Sequence, residues 1–104
     1  MLFAEARVET EHASQYLVRL CRHVSKAAEA HPQMPAAADW ADEHCVVSLG
    51  SGRCTLRADG RVLTMRAEAP DVQSLDELQR RIGDRVELFG RREGLKVIWT
   101  SEGR

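Results

Sequence analysis

Residues 2–8, LFAEARV, alternate: Leu2, Ala4, Ala6 and Val8 fall on one side, Phe3, Glu5 and Arg7 on the other. That two-residue period predicts a half-buried strand. Thr10 then offers an N-cap to a helix predicted over residues 11–30, with Ala13, Leu17, Leu20, Val24 and Ala27/Ala28 as its apolar stripe. Pro32 and Pro35 end that helix and open a connection.

Short strands joined by tight turns follow. CVVSL (45–49) leads into Gly50-Ser51, GRCTLRA (52–58) into Asp59-Gly60, and RVLTMRA (61–67) closes the run. With two residues in each turn, Val47 faces Cys54, Leu56 faces Leu63 and Cys54 faces Met65, all apolar pairs. A further strand over Ala37–Ala41, turning at Asp42-Glu43, would set Trp40 opposite Cys45 and Ala38 opposite Val47. Ser74-x-x-Glu77 reads as a capping box for a second helix over 75–89, with Leu75, Leu78, Ile82, Val86 and Phe89 as its stripe. Gly90 takes the C-terminal glycine position, and Gly83 interrupts the helix where a neighbour comes close. LKVIWTS (95–101) is the last predicted strand, with Val97 and Trp99 facing in. The order β-α-β-β-β(-β)-α-β predicts an α+β two-layer sandwich, a mostly antiparallel sheet with two helices on one face.

Length makes this a single domain, 1–104, with one modest core. Fifteen basic residues nearly balance sixteen acidic ones, so no global field draws in nucleic acid or anionic lipid. The N-terminus lacks a basic region followed by an apolar run, and no stretch nears the ~20 apolar residues that span a bilayer. Three cysteines at irregular spacing fit neither a disulfide framework nor a zinc ribbon. The expectation is a reduced cytoplasmic protein with buried thiols, no membrane contact, and no disulfide between the diagonally placed Cys45 and Cys54.

Candidate chemistry begins at Cys21-x-His23 in the first helix. Residues two apart point about 200° from each other around a helix, so the pair cannot act jointly on one ion or substrate. His23 instead lines up with His12, Tyr16, Arg19 and Lys26 in steps of three and four, a polar ridge beside the apolar stripe. Such a ridge could bind an anion or a metal-bearing ligand, although most are simply solvated helix faces. His31 and His44 show no metal-ligand spacing, so no metal site or cofactor is assigned, and metal or haem stays open. On the outer sheet face the predicted register sets Arg53 opposite Arg66 and Thr55 opposite Thr64, with Arg57 and Lys96 on the same side. Like charges so placed need Glu5, Glu9 or Glu68 to neutralise them, or an acidic partner or anionic ligand lying over the sheet. Stacking aromatics for RNA are missing from the central outer positions. No phosphate loop, nucleophile elbow or set carboxylate pair is present, which lowers the prior for an enzyme.

Thr10…Ala13…Tyr16-Leu17…Leu20-Cys21-x-His23, Gly52-x-Cys54-x-Leu56, Glu87-x-Phe89 and Arg92-Glu93…Val97-x-Trp99 together resemble the bacterial family named domain of unknown function 2218. The resemblance spans nearly the whole chain and implies a small α+β domain from the bacterial cytoplasm. It also implies an association with siderophore-interacting reductase-type proteins, hence with iron handling. Relatives carry further histidines at positions filled here by Lys26 and Arg85, so a histidine metal site is not carried over whole. The leading expectation is a non-enzymatic accessory or ligand-binding domain, with His12, Tyr16, Arg19, His23, Lys26, Arg53 and Arg66 as ligand-binding candidates. The alternatives are a metal-dependent or thiol enzyme using His23, and an interaction module acting through the basic sheet face or as a homodimer by edge-strand pairing.

Overall fold

Alternation decides the sheet. The computed structural model describes residues 2–30, 36–41 and 43–102. In it β1 (Leu2–Glu9), β2 (Ala36–Ala41), β3 (His44–Leu49), β4 (Gly52–Asp59), β5 (Val62–Ala69) and β6 (Thr100–Glu102) form one antiparallel sheet in the order β2-β3-β4-β5-β1-β6. One face carries Ala4, Ala6, Val8, Cys45, Val47, Cys54, Leu56, Leu63, Met65 and Ala67, all buried. Against it lie α1 (Ala13–Ala30), over β2–β4, and α2 (Val72–Phe89), over β4, β5 and β1. This is the two-layer α+β arrangement that the hydrophobic pattern implies. The proline-bearing connection and the Asp42 turn position lie outside the described residues. Among those that are described, no helix is long and apolar enough to cross a membrane.

Two registers agree with the reading and one does not. Val47 pairs with Cys54, and Trp40 with Cys45, as the turn chemistry required. The β4–β5 hairpin, however, turns on Gly60-Arg61 rather than Asp59-Gly60, so Asp59 pairs with Val62, Leu56 with Met65 and Cys54 with Ala67. Gly50 and Gly60 each hold φ of 60°, and a left-handed first turn residue is what lets a two-residue loop match the strand twist. The two-residue slide keeps every apolar side chain on the inner face but sets Arg53 opposite Glu68 and Arg66 opposite Thr55. The opposed arginines therefore do not occur.

The helix ends differ for local reasons. Thr10 is buried and its hydroxyl accepts the His12 N–H at 3.1 Å, so the chain makes one turn before α1 begins at Ala13. Asp71, not Ser74, caps α2: its carboxylate accepts the Ser74 N–H at 2.7 Å, which starts the helix three residues earlier than read. Gly90 caps the other end with a negative φ of −94°, so it is not there for a left-handed conformation; its lack of a side chain makes room for Leu95.

The predicted strand 95–101 shortens to β6. Residues 95–99 leave the sheet and lie along α2, where Glu87 Oε2 accepts the Val97 N–H at 2.8 Å. Val97 and Trp99 are half-buried over Gly83, the close neighbour that glycine was expected to admit. Exposed Lys96 travels with this segment and not with the outer sheet face.

The thiol expectation is overturned. Cys21 of α1 and Cys45 of β3 form a disulfide, both fully buried, leaving Cys54 as the free buried cysteine. Spacing along the chain held no sign of this pair, because packing α1 onto β3 creates it.

Candidate functional site

The histidine-bearing ridge of α1 is a seam with the far end of α2. At its start Thr10 Oγ1 donates to Glu93 at 2.8 Å, and His12 Nε2 lies 3.5 Å from the same carboxylate. The Tyr16 ring meets His12 edge-on with centroids 6.1 Å apart. Burial, and then the Glu93 carboxylate beside it, push the Tyr16 hydroxyl above its ordinary 10.0. One turn on, Arg19 lays its guanidinium 4.5 Å from the Phe89 ring centroid. Another turn on, His23 meets the field of Arg85. Phe89 and Arg85 step back by four along α2 as the α1 residues advance, and Glu93 comes from the short helical turn after Gly90.

Beyond His23 the seam opens. A groove of about 530 Å³ lies between α1 and α2, floored by Leu20, Val24, Leu49 and Ile82 and walled by Ala27, His23, Arg81, Asp84, Arg85 and Leu88. A neighbouring hollow of about 310 Å³ shares Leu49 and Arg81 with it and reaches Ser51 of the β3–β4 turn and Ser74 in the first turn of α2. Leu88 stands 50% exposed at the mouth, an uncovered apolar side chain beside charged ones. Arg81 is held by Glu77 at 2.8 Å. Arg85 is half-buried and has no carboxylate partner among the described residues. Desolvation against the wall, and then the Arg85 charge, hold His23 below 6.5, so its ring is mostly neutral near pH 7. A neutral imidazole, a free guanidinium and an apolar floor can hold an organic anion.

The structure thus divides the ridge. His12, Tyr16 and Arg19 are engaged with Glu93 and Phe89, His23 enters the groove wall, and Lys26 is exposed beyond it. On the outer sheet face Arg53 pairs with Glu68 at 3.1 Å, and Arg66 pairs with Glu5 at 3.1 Å while covering the Phe3 ring at 4.4 Å. Both arginines are neutralised by carboxylates of the same face. Among the described residues no group of three His, Cys, Asp or Glu is placed to hold a metal ion. Cys21 is bonded to Cys45, and burial pushes the Cys54 thiol up to about 12, which suppresses the thiolate a nucleophile needs. The charged groove residues absent from the sequence-based candidates are Arg81, Asp84 and Arg85. Their signal was a flank of α2, since Arg81, Arg85 and Leu88 follow steps of four and three. Glu93 had no such signal, being 83 residues from Thr10.

Fold and groove together define a small α+β sandwich with a pocket between its two helices. The chain belongs to the bacterial family DUF2218, described as an uncharacterized protein conserved in bacteria, whose model matches residues 5–100. Among solved structures it resembles PA4090 from Pseudomonas aeruginosa, determined by NMR, with 26% identity, a TM-score of 0.74 and coverage of 96% of each chain. No curated protein matches it.

Proposed function

We propose that the protein is a non-enzymatic, single-domain ligand-binding or accessory protein that holds a small organic molecule in the groove between α1 and α2. The observation that carries this is the groove itself: about 530 Å³ over an apolar floor, within the ~300–1,000 Å³ of small-molecule sites, with a few polar groups converging at one wall. Iron handling enters through the family resemblance alone, and ferric siderophores, as anionic chelates, belong in the ligand panel. Cytoplasmic residence is part of the reading, and there the Cys21–Cys45 bond would stand in exchange with its dithiol.

The test is a thermal-shift and NMR titration against organic acids, ferric siderophores, haem, iron and zinc. Binding raises the melting temperature and perturbs Leu20, Leu49 and Ile82; Ala27→Trp, which fills the groove from a half-buried position, abolishes both effects and keeps the native spectrum. Ligand binding that survives Ala27→Trp refutes the assignment. A second reading, an interaction surface for an acidic protein, draws on Arg7 and Arg57, which flank Thr64 in one row of the outer sheet face. Binding of a glutamate-rich peptide that Arg57→Glu abolishes would favour it.

A further inference from the structure

Resting on the groove reading, we infer that the ligand is a small monoanion: one carboxylate-type head held by Arg85, with an apolar body lying over Leu20, Leu49 and Ile82. Among the described residues Arg53, Arg61, Arg66 and Arg81 have carboxylate partners, and the other arginines, Arg19 and Arg85 among them, have none. Of those without a carboxylate partner, all are exposed except Arg85. An exposed guanidinium keeps its water, whereas a half-buried one has lost part of its hydration, and a counter-charge compensates that loss most strongly. A carboxylate fits the guanidinium fork with two parallel hydrogen bonds.

Charge at the groove limits the head to one negative unit. Arg81 is already committed to Glu77, and Asp84 on the wall repels a second negative charge. The remaining demand is apolar: the floor is aliphatic and Leu88 is half uncovered at the mouth, so a hydrocarbon body removes that surface from water. His23 stands beside the head as a neutral hydrogen-bonding group that gains basicity when an anion arrives.

The experiment compares octanoate with octanamide by two-dimensional NMR on the oxidised protein and on Arg85→Gln. Octanoate is expected to bind the parent at least tenfold more tightly than octanamide and to raise the His23 pKa. Arg85→Gln is expected to bind both compounds alike, with the affinity the parent shows for octanamide. Equal binding of the two by the parent, or a preference that persists in Arg85→Gln, overturns the head-group assignment and leaves the groove standing. If neither compound perturbs Leu20, Leu49 or Ile82, the groove reading falls with it.

Discussion

Gly83 and Trp99 are packed so closely that a Cβ on the glycine would stand 3.1 Å from the indole nitrogen, with Val97 atoms 3.7 Å away. Alanine gains about 1 kcal/mol of helix propensity but must displace the ring by a few tenths of an ångström. Residues 95–99 are outside the strand ladder and can yield that far. Gly83→Ala is therefore expected within about 0.5 kcal/mol of the parent, and Gly83→Leu to lose ~1–3 kcal/mol. Chemical denaturation measures both, and the Trp99 indole N–H resonance should move only slightly in the first and collapse toward its unfolded position in the second.

The disulfide makes a prediction about thiol counting. Denatured without reductant, the oxidised chain should present one reactive thiol, Cys54, and three after reduction. Reduction, or the Cys21→Ser/Cys45→Ser pair, should lower stability by about 2–4 kcal/mol, since the bond closes a loop with a sequence separation of 24. In the native state Cys54 should resist alkylation at pH 8 in either redox form, because burial pushes its thiol up to about 12. Three thiols from unreduced protein would remove the cross-link.

Tyr16 sets the alkaline limit at the α1–Glu93 corner. Its folded pKa is raised, so the folded chain keeps a proton that the unfolded chain loses from about pH 10 upward. The associated stability is intact below pH 10 and disappears as pH rises through the folded value. Glu93→Gln removes the second cause but not burial, the first, so phenol ionisation followed at 295 nm should shift down toward 10.0 without reaching it.

His23 acts at the acid side. Its folded pKa is lowered, so below about 6.5 the unfolded chain binds a proton that the folded chain refuses. Stability therefore falls as pH drops from 6.5 to the folded value and levels off beneath it. Imidazole titration by NMR should place His23 under 6.5 in the parent. In Arg85→Gln the midpoint should rise part of the way back, because desolvation, the larger cause, remains.

Side-chain alternation carried most of the fold into view, and its blind spot is specific. Sliding β5 two residues past β4 leaves the same residues facing inward, so apolar pairing could not choose between a turn at Asp59-Gly60 and one at Gly60-Arg61. Charge could have chosen: the observed register sets Arg53 across from Glu68 and Arg66 across from Thr55, where the alternative turn opposes the two arginines. The ridge from His12 to His23 was legible as a helix face because spacing fixes faces. What it meets was not, since Glu93, Phe89 and Arg85 reach it only when the helices dock. The Cys21–Cys45 bond was hidden for the same reason. The segment 95–99 was misread because its apolar alternation serves α2 and not a ladder partner.

One of the sheet's two edge strands, β2, falls within the covalent ring that the Cys21–Cys45 bond closes. An edge strand with free backbone groups is the natural candidate for exchange into a neighbouring molecule's sheet. Here such an exchange would have to carry a leashed loop instead of a free arm, anchored at α1 on one side and β3 on the other. While the bond is closed, this margin of the sheet is tethered to its own molecule on both sides; reduction would leave the same strand held by the backbone alone.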